Sequence, residues 1–208
     1  SALEQRHQIQ LPTLAPEDLK HPSALAGDLA EFLRQRLLSL LEEEGIAPDL
    51  VQAVAGETVA ITRVLTDPAD ARRRAELLAK LRAQGLLAAV EAVVTRAARL
   101  AEKGDLDPGV LSATNVVNPA LFAKQSEKAM LAVLGRLEPI AAGNHPDRYA
   151  ALAAELAASA STLAAFFDGE ESVMVMAEDP AVRTNRLNLL AVLRNQAGVL
   201  ADFSRISG

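Results

Sequence analysis

The chain has 208 residues, of which 50% are apolar and only 3% aromatic, with no tryptophan. This is enough apolar material to bury a sizeable core, and a core of alanine and leucine favours packed helices over a sheet. The absence of cysteine excludes disulfides and thiolate metal sites, while the formal net charge of −6 disfavours general binding to nucleic acid. A short folded RNA needs only a local basic patch, so its recognition is not excluded.

The first 22 residues contain three prolines and no sustained apolar period. This pattern predicts that residues 1–22 form a lead segment or linker that begins with a tag remnant, or alternatively a solvated tail. The folded domain is expected over residues 23–208. No apolar run approaches the length of a membrane span, and the N-terminal sequence lacks the order of a signal peptide. We therefore expect a cytoplasmic protein without membrane contact.

Apolar residues recur at helical spacing from Leu25, and Gly45 supplies a left-handed stop for this first helix. The same periodicity, together with cap signals, predicts further helices, and their residues are 49–54, 58–65, 68–81, 86–103, 118–141, 147–167 and 179–206. A loop with at most one helical turn is expected over residues 105–117, which include a Pro-Gly pair.

Helix starts are marked by a capping residue followed by proline at the first helical position. This device occurs at Asp67-Pro68, Asn118-Pro119 and Asp179-Pro180, and Asp49 and Asp147 are expected to act as N-caps without a proline. Alternating strand patterns are absent and the connections are short, so the fold class is expected to be all-α, a single helical bundle.

The last predicted helix has a buried face and a basic flank. At about 100° per residue, the apolar face contains Val182, Leu189, Leu193, Leu200 and Phe203. Beside it lie Arg183, Arg186, Arg194 and Arg205, within an arc of roughly 100°. RNA contact and intramolecular salt bridges both remain open for these arginines.

Catalytic and metal-binding patterns are not found in the sequence. His7, His21 and His145 lie far apart, and glycine-rich phosphate loops are absent, so neither a catalytic residue nor a metal site is expected. The acidic pair Glu170-Glu171 is interpreted as solvated loop charge. The cluster Arg72-Arg73-Arg74 is interpreted as a solvated helix surface, because consecutive helical residues point in different directions.

The C-terminal block contains several distinctive residue groups in order, and they are Phe166-Phe167-Asp168, Val173-Met174-Val175-Met176, Arg183, Asn185-Arg186-Leu187 and Leu189-Leu190. With these residues the block resembles the end of the β subunits of bacterial glycyl-tRNA synthetases. This end of the family is a helical anticodon-binding domain of the DALR type, which is shared with arginyl- and other tRNA synthetases. Residues 32–54 resemble the start of the same domain, and Arg96 falls where the family usually has a Lys-Arg pair. Thr95 replaces the usual lysine, and the namesake aspartate is replaced by alanine near Tyr149.

The resemblance implies that the intact protein joins glycine to its tRNA in an α/β hetero-oligomer whose separate α subunit carries adenylation. It implies that ATP and glycine bind elsewhere, so no cofactor is expected in this fragment, and that its partner is the anticodon loop of tRNA-Gly. The residues expected to contact RNA are Arg183, Arg186, Asn185 as a base reader, Arg96 and Arg36. Phe166 and Phe167 are expected in the core. A helical docking domain for subunit assembly that binds no RNA, or a protein-binding scaffold unrelated to tRNA, remain as alternatives.

Overall fold

The computed structural model describes residues 22–145 and 147–207, with side chains from residue 26 onward. Within this part of the chain the secondary structure is entirely helical, so the all-α class is confirmed. The α-helices are α1 (Pro22–Glu43), α2 (Pro48–Ala55), α3 (Ile61–Thr66), α4 (Pro68–Ala83), α5 (Leu87–Ala101), α6 (Gln125–Ala142), α7 (Arg148–Ala164) and α8 (Pro180–Gly198). Two 3-10 helices span Pro119–Leu121 and Phe203–Arg205. The predicted lead segment, with His7 and His21, lies outside the described residues except for Pro22.

Each of the three cap-then-proline pairs caps a helix, but the prediction that Asn118 begins the helix that runs to residue 141 is wrong. The Asp67 side chain accepts a hydrogen bond from the Asp70 N–H, and the Asp179 carboxylate accepts two from the first turn of α8. Asn118 caps only the 3-10 helix, and α6 begins later, at Gln125. Glu127 stabilises the start of α6, because its carboxylate accepts hydrogen bonds from the N–H groups of Ala123 and Lys124.

The caps predicted without a proline have different outcomes. Asp49 lies inside α2, whose N-cap is Ala47, so the cap prediction is wrong there. The Asp49 carboxylate instead accepts hydrogen bonds from both Arg82 Nη atoms, at 2.9 and 2.6 Å, and from the Ser207 N–H at 2.8 Å. Asp147 occupies the N-cap position of α7 but makes no side-chain cap hydrogen bond.

The last helix is shorter than predicted, because it ends at Gly198 and not near Ile206. The chain then turns, and the Asp202 N–H donates to the Ala53 carbonyl at 2.8 Å, which ties the C-terminal segment to α2. Asp202 also caps the second 3-10 helix through the Ser204 N–H. The local apolar period, which continues to Leu200 and Phe203, therefore does not mark where α8 ends. The positive φ angle of Gly45, 88°, matches the predicted stop of the first helix, and Gly85, with a φ of 71°, follows the end of α4.

The core is organised around α8. Helices α5 and α6 pack against α8, and α7 packs against both of them. In the N-terminal half, α1 packs on α2 and α3, and α2 on α4. The predicted apolar face is confirmed in part, since Leu189 and Leu193 of α8 are fully buried and Leu200 and Phe203 are buried beyond the end of the helix, whereas Val182 is half-buried. No helix within the described residues is both long and apolar enough to cross a membrane.

Polar side chains of α8 form hydrogen bonds with the connection between α5 and α6. This connection contains no helix before Pro119, as predicted. Asn195 Nδ2 donates to the carbonyls of Asp107 and Val110, each at 2.9 Å, and Gln196 Nε2 donates to the Leu111 carbonyl at 2.7 Å. The buried amides of α8 thus supply partners for backbone carbonyls that lack a regular ladder.

Candidate RNA interface

Arg186 lies in a buried ion pair. Its Nε is 2.9 Å from Glu127 Oε1, and its Nη1 donates to the Met174 carbonyl at 3.0 Å. The Arg186 side chain is 10% exposed and that of Glu127 is fully buried. Burial alone raises the pKa of Glu127, but Arg186 and the N–H groups at the start of α6 outweigh it and hold that pKa below its usual value. Arg186 thereby joins α8 to α6 and to the segment around Met174.

The oxygen and the nitrogen of the Asn185 side-chain amide both form hydrogen bonds with the backbone of Asn118. Its Oδ1 accepts from the Asn118 N–H at 2.6 Å, and its Nδ2 donates to the Asn118 carbonyl at 3.1 Å. The residue is only 5% exposed. RNA contact by Asn185 or Arg186 stays a prediction, and it would require each side chain to leave partners that fix the local fold.

The other three predicted RNA contacts are more accessible. Arg183 is half-buried, and its Nη1 donates to the Ala177 carbonyl at 3.1 Å. Arg36, on α1, is exposed and lies 3.4 Å from Glu43 Oε1. Arg96, on α5, is exposed and lies 2.8 Å from Asp168 Oδ1. The candidates thus occupy three helices, and α1 does not belong to the group of helices around α8.

The remaining arginines of the predicted arc also have intramolecular partners. Arg194 donates to Asn195 Oδ1 at 3.0 Å and to the Leu106 carbonyl at 3.2 Å. Arg205 lies 3.8 Å from Asp202 Oδ2. The arginines of the predicted arc therefore interact mainly with other groups of the same chain.

The core role predicted for the paired phenylalanines is confirmed. Phe166 is fully buried and Phe167 is 9% exposed, with their ring centroids 5.3 Å apart in an edge-to-face arrangement. The Arg96 guanidinium carbon lies 4.7 Å from the Phe167 ring centroid. Phe167 and Asp168 therefore fix the position of Arg96 on the surface.

The interpretation of Arg72-Arg73-Arg74 as solvated surface is right for the first two and wrong for the third. Arg74 is 1% exposed, and its Nε donates to Asp70 Oδ2 at 2.8 Å. Burial and the nearby Arg63 lower the pKa of Arg74. Its Nη1 donates to the Leu200 carbonyl just beyond α8, where the helix dipole favours a cation.

Sequence reasoning missed a group of basic residues on the C-terminal part of α5 and in the turn that follows it. Arg96, Arg99 and Lys103 are all exposed, and a shallow groove of about 460 Å³ runs beside Arg96 and Arg99. Arg96 and Arg99 lie about 60° apart on α5, so the helical period could have revealed these two, whereas Lys103 lies two residues beyond the end of the helix at Ala101. Neither Arg99 nor Lys103 forms an ion pair with another residue in the described ranges. We call these three residues the α5 stripe. Within the same ranges, no group of three His, Asp or Glu side chains could hold a metal ion.

Comparison with known proteins gives a consistent result. The chain is 50% identical over 181 residues to the glycine–tRNA ligase beta subunit of Picosynechococcus sp., across 86% of this chain and 25% of that protein. This relative and two further ones are glycine–tRNA ligase β subunits. Those of Acaryochloris marina and Syntrophotalea carbinolica are 46% and 31% identical, over 86% and 99% of this chain and 25% and 29% of their own lengths.

The chain thus spans about a quarter of the length of the relatives that it matches. The resemblance to glycyl-tRNA synthetase β subunits is confirmed by these relatives. No family model matches the chain, and assignment to the DALR type stays a prediction.

Proposed function

We propose that this chain is the anticodon-recognition domain of a glycine–tRNA ligase β subunit and acts in the aminoacylation of tRNA-Gly in the cytoplasm. The observation that carries this proposal is its 50% identity, over 86% of the chain, to a glycine–tRNA ligase β subunit. In the proposed enzyme a separate α subunit carries adenylation, where ATP and glycine bind. This chain contributes RNA contacts and no catalytic group.

The α5 stripe is the surface best suited to hold RNA phosphates. Its three cations are exposed, whereas Arg186 and Asn185 are buried in structural contacts. In this proposal Arg96, Arg99 and Lys103 attract the phosphates, with Arg183 as an additional contact, because exposed cations can release the counterions of RNA. Arg186 and Asn185 act as positioning residues that fix α8, and Arg36 serves as a separate contact on α1.

A second candidate function is a helical docking domain that binds no RNA. Two observations favour it. Arg36, Arg96 and Arg186 are each paired with a carboxylate of this chain. In addition, Leu29, Leu33 and Leu40 are 54%, 46% and 42% exposed on one face of α1, where they offer an apolar surface to another protein.

The experiment is a fluorescence anisotropy titration of the tRNA-Gly anticodon stem-loop at two salt concentrations. We expect weak, salt-dependent binding, because the net charge of −6 opposes it. An Arg99→Glu/Lys103→Glu variant should bind at least about tenfold more weakly and show a smaller salt dependence. Arg96 is left intact because its loss would also release Asp168.

The matched control is Lys80→Glu/Lys128→Glu, which makes the same charge change at exposed positions on α4 and α6. This control should weaken binding about threefold or less, because the charges lie outside the α5 stripe. Equal losses in the two variants would reject the stripe as the RNA contact. If the wild-type chain fails to bind the stem-loop even at low salt, the docking function replaces anticodon recognition.

A further inference from the structure

A groove lined by uncharged amides lies between the N-terminal half of α8 and the loop that carries the first 3-10 helix. Its volume is about 650 Å³, within the range of small-molecule sites. The polar residues that line it are Asn115, Asn118, Thr184, Asn185 and Asn188, and two prolines, Pro119 and Pro180, add apolar surface. We call this the amide groove. None of the residues that line it carries a charge.

Part of this polar lining is engaged in holding the groove in shape. Asn185 exchanges hydrogen bonds with the Asn118 backbone, and Asn188 Nδ2 donates to the Val116 carbonyl at 2.7 Å. Asn115, which precedes Val116 in the loop, has a φ of 67°, a left-handed conformation that asparagine tolerates better than most residues. The loop is therefore fixed against α8 before any ligand arrives, which lowers the entropic cost of binding.

The rest of the lining is free to bind a ligand. The Asn115 amide and the Thr184 hydroxyl are exposed, and neither makes a hydrogen bond to another residue in the described part of the chain. Asn118 Nδ2 and Asn188 Oδ1 are likewise unused by that part of the chain. The groove therefore offers both donors and acceptors without any net charge.

The uncharged donors and acceptors of the groove indicate which class of ligand it can bind. A phosphate would need cations, and a metal ion would need carboxylates, and the lining provides neither. A nucleobase is uncharged and planar and presents donors beside acceptors, which asparagine amides match in pairs. Unstacked bases of single-stranded RNA are read on these edges.

We propose that the amide groove receives an unstacked nucleobase of the RNA that this domain binds. This inference rests on the proposed function, and it places base contact at Asn115, Thr184 and Asn188, next to the buried Asn185. The α5 stripe holds phosphates without regard to sequence, whereas the amide groove supplies the dependence on bases.

The test compares binding of two tRNA-Gly anticodon stem-loops, one intact and one with abasic nucleotides in the anticodon. The variant is Asn115→Gly/Thr184→Val, which keeps the left-handed backbone and the side-chain shape at position 184 while removing their hydrogen-bonding groups. The wild-type chain should prefer the intact stem-loop by about tenfold, and the variant should lose most of this preference. Its salt dependence should not change, because no phosphate contact is removed.

The matched control is Asn144→Gly/Thr62→Val, which makes the same substitutions at exposed positions outside the groove and should keep the preference. Thermal unfolding should show that both variants fold. An unchanged preference in the Asn115→Gly/Thr184→Val variant, or equal wild-type affinity for the two stem-loops, overturns the inference while leaving RNA binding intact. Failure of both stem-loops to bind overturns the proposed function itself. A variant that keeps its base preference but loses association with another enzyme subunit would assign the groove to protein docking.

Discussion

Both charges of the Arg186–Glu127 pair have been taken out of water, since the two side chains are 10% and 0% exposed. Removal from water is costly for each ion, and here it is offset by their mutual attraction and by the Ala123 and Lys124 N–H groups on Glu127. The loss of one partner is therefore more harmful than the loss of both charges.

Arg186→Met should lower the free energy of unfolding by about 3 kcal/mol, because it leaves the Glu127 carboxylate buried without its cation. Adding Glu127→Gln removes that charge while keeping an acceptor for the N–H groups, so the double variant should be more stable than Arg186→Met alone. Urea denaturation of the single and double variants checks this. Strictly additive losses would show that the two residues do not act as a pair.

The sequence could identify Asn185 and Arg186 as distinctive residues but not where their side chains lie. Glu127 lies 59 residues before Arg186, and Asn118 lies 67 before Asn185. A helical wheel places both beside the apolar face, at the edge where surface and interior positions cannot be separated by spacing alone. The amide groove was missed for the same reason, since Asn115 and Asn188 meet only in the fold.

At the level of elements, the starts of α4 and α8 followed from local chemistry, while the start of α6 and the end of α8 did not. Each cap-then-proline pair acts through N–H groups two or three residues away, so sequence alone suffices. Asp49 has the same residue type as a cap, yet the bidentate contact from Arg82 on α4 takes its carboxylate. Asp49 thereby joins α2, α4 and the C-terminal segment at Ser207.

This junction predicts a specific response to acid. Hydrogen bonds from Arg82 lower the pKa of Asp49 from 3.8 to about 2. A carboxyl whose folded pKa is depressed contributes stability above its unfolded pKa and loses it as pH falls through the folded one. Between about pH 4 and pH 2 the wild-type chain should therefore lose about 1 to 2 kcal/mol more than Asp49→Asn, an amount limited by partial exposure to water.

Unfolding by urea at several pH values measures this difference. Arg82→Met should also abolish this extra loss of unfolding free energy at low pH, because it removes the cation that lowers the Asp49 pKa. Parallel pH profiles for the wild type and Asp49→Asn would contradict the assignment of this junction.

At the level of the whole molecule, the apolar surface is unevenly distributed. Leu38 and Leu41 of α1 are buried, whereas Leu29, Leu33 and Leu40 of the same helix are 42% to 54% exposed. This exposed face lies on the helix that is farthest from the α8 core in the pattern of packing. It is a suitable surface for contact with another protein segment.

Leu33→Gln/Leu40→Gln should lower the free energy of unfolding by about 1 kcal/mol or less per substitution, because nearly half of each residue is already in water. Leu41→Ala, as the buried control, should cost about 2 to 5 kcal/mol. Thermal or urea unfolding of the isolated chain distinguishes the two. A loss in Leu33→Gln/Leu40→Gln as large as that of Leu41→Ala would mean that this face is already covered within the chain.

The central position of α8 has a consequence for synthesis on the ribosome. Helices α5 and α6 bury their apolar faces against α8, although both are made before it. A nascent chain that ends before Pro180 can pack α7 on α5 and α6, but it leaves the faces of α5 and α6 that contact α8 uncovered. We therefore expect the complete core to form only after α8 has left the exit tunnel, and until then the uncovered leucines and valines are available to chaperones.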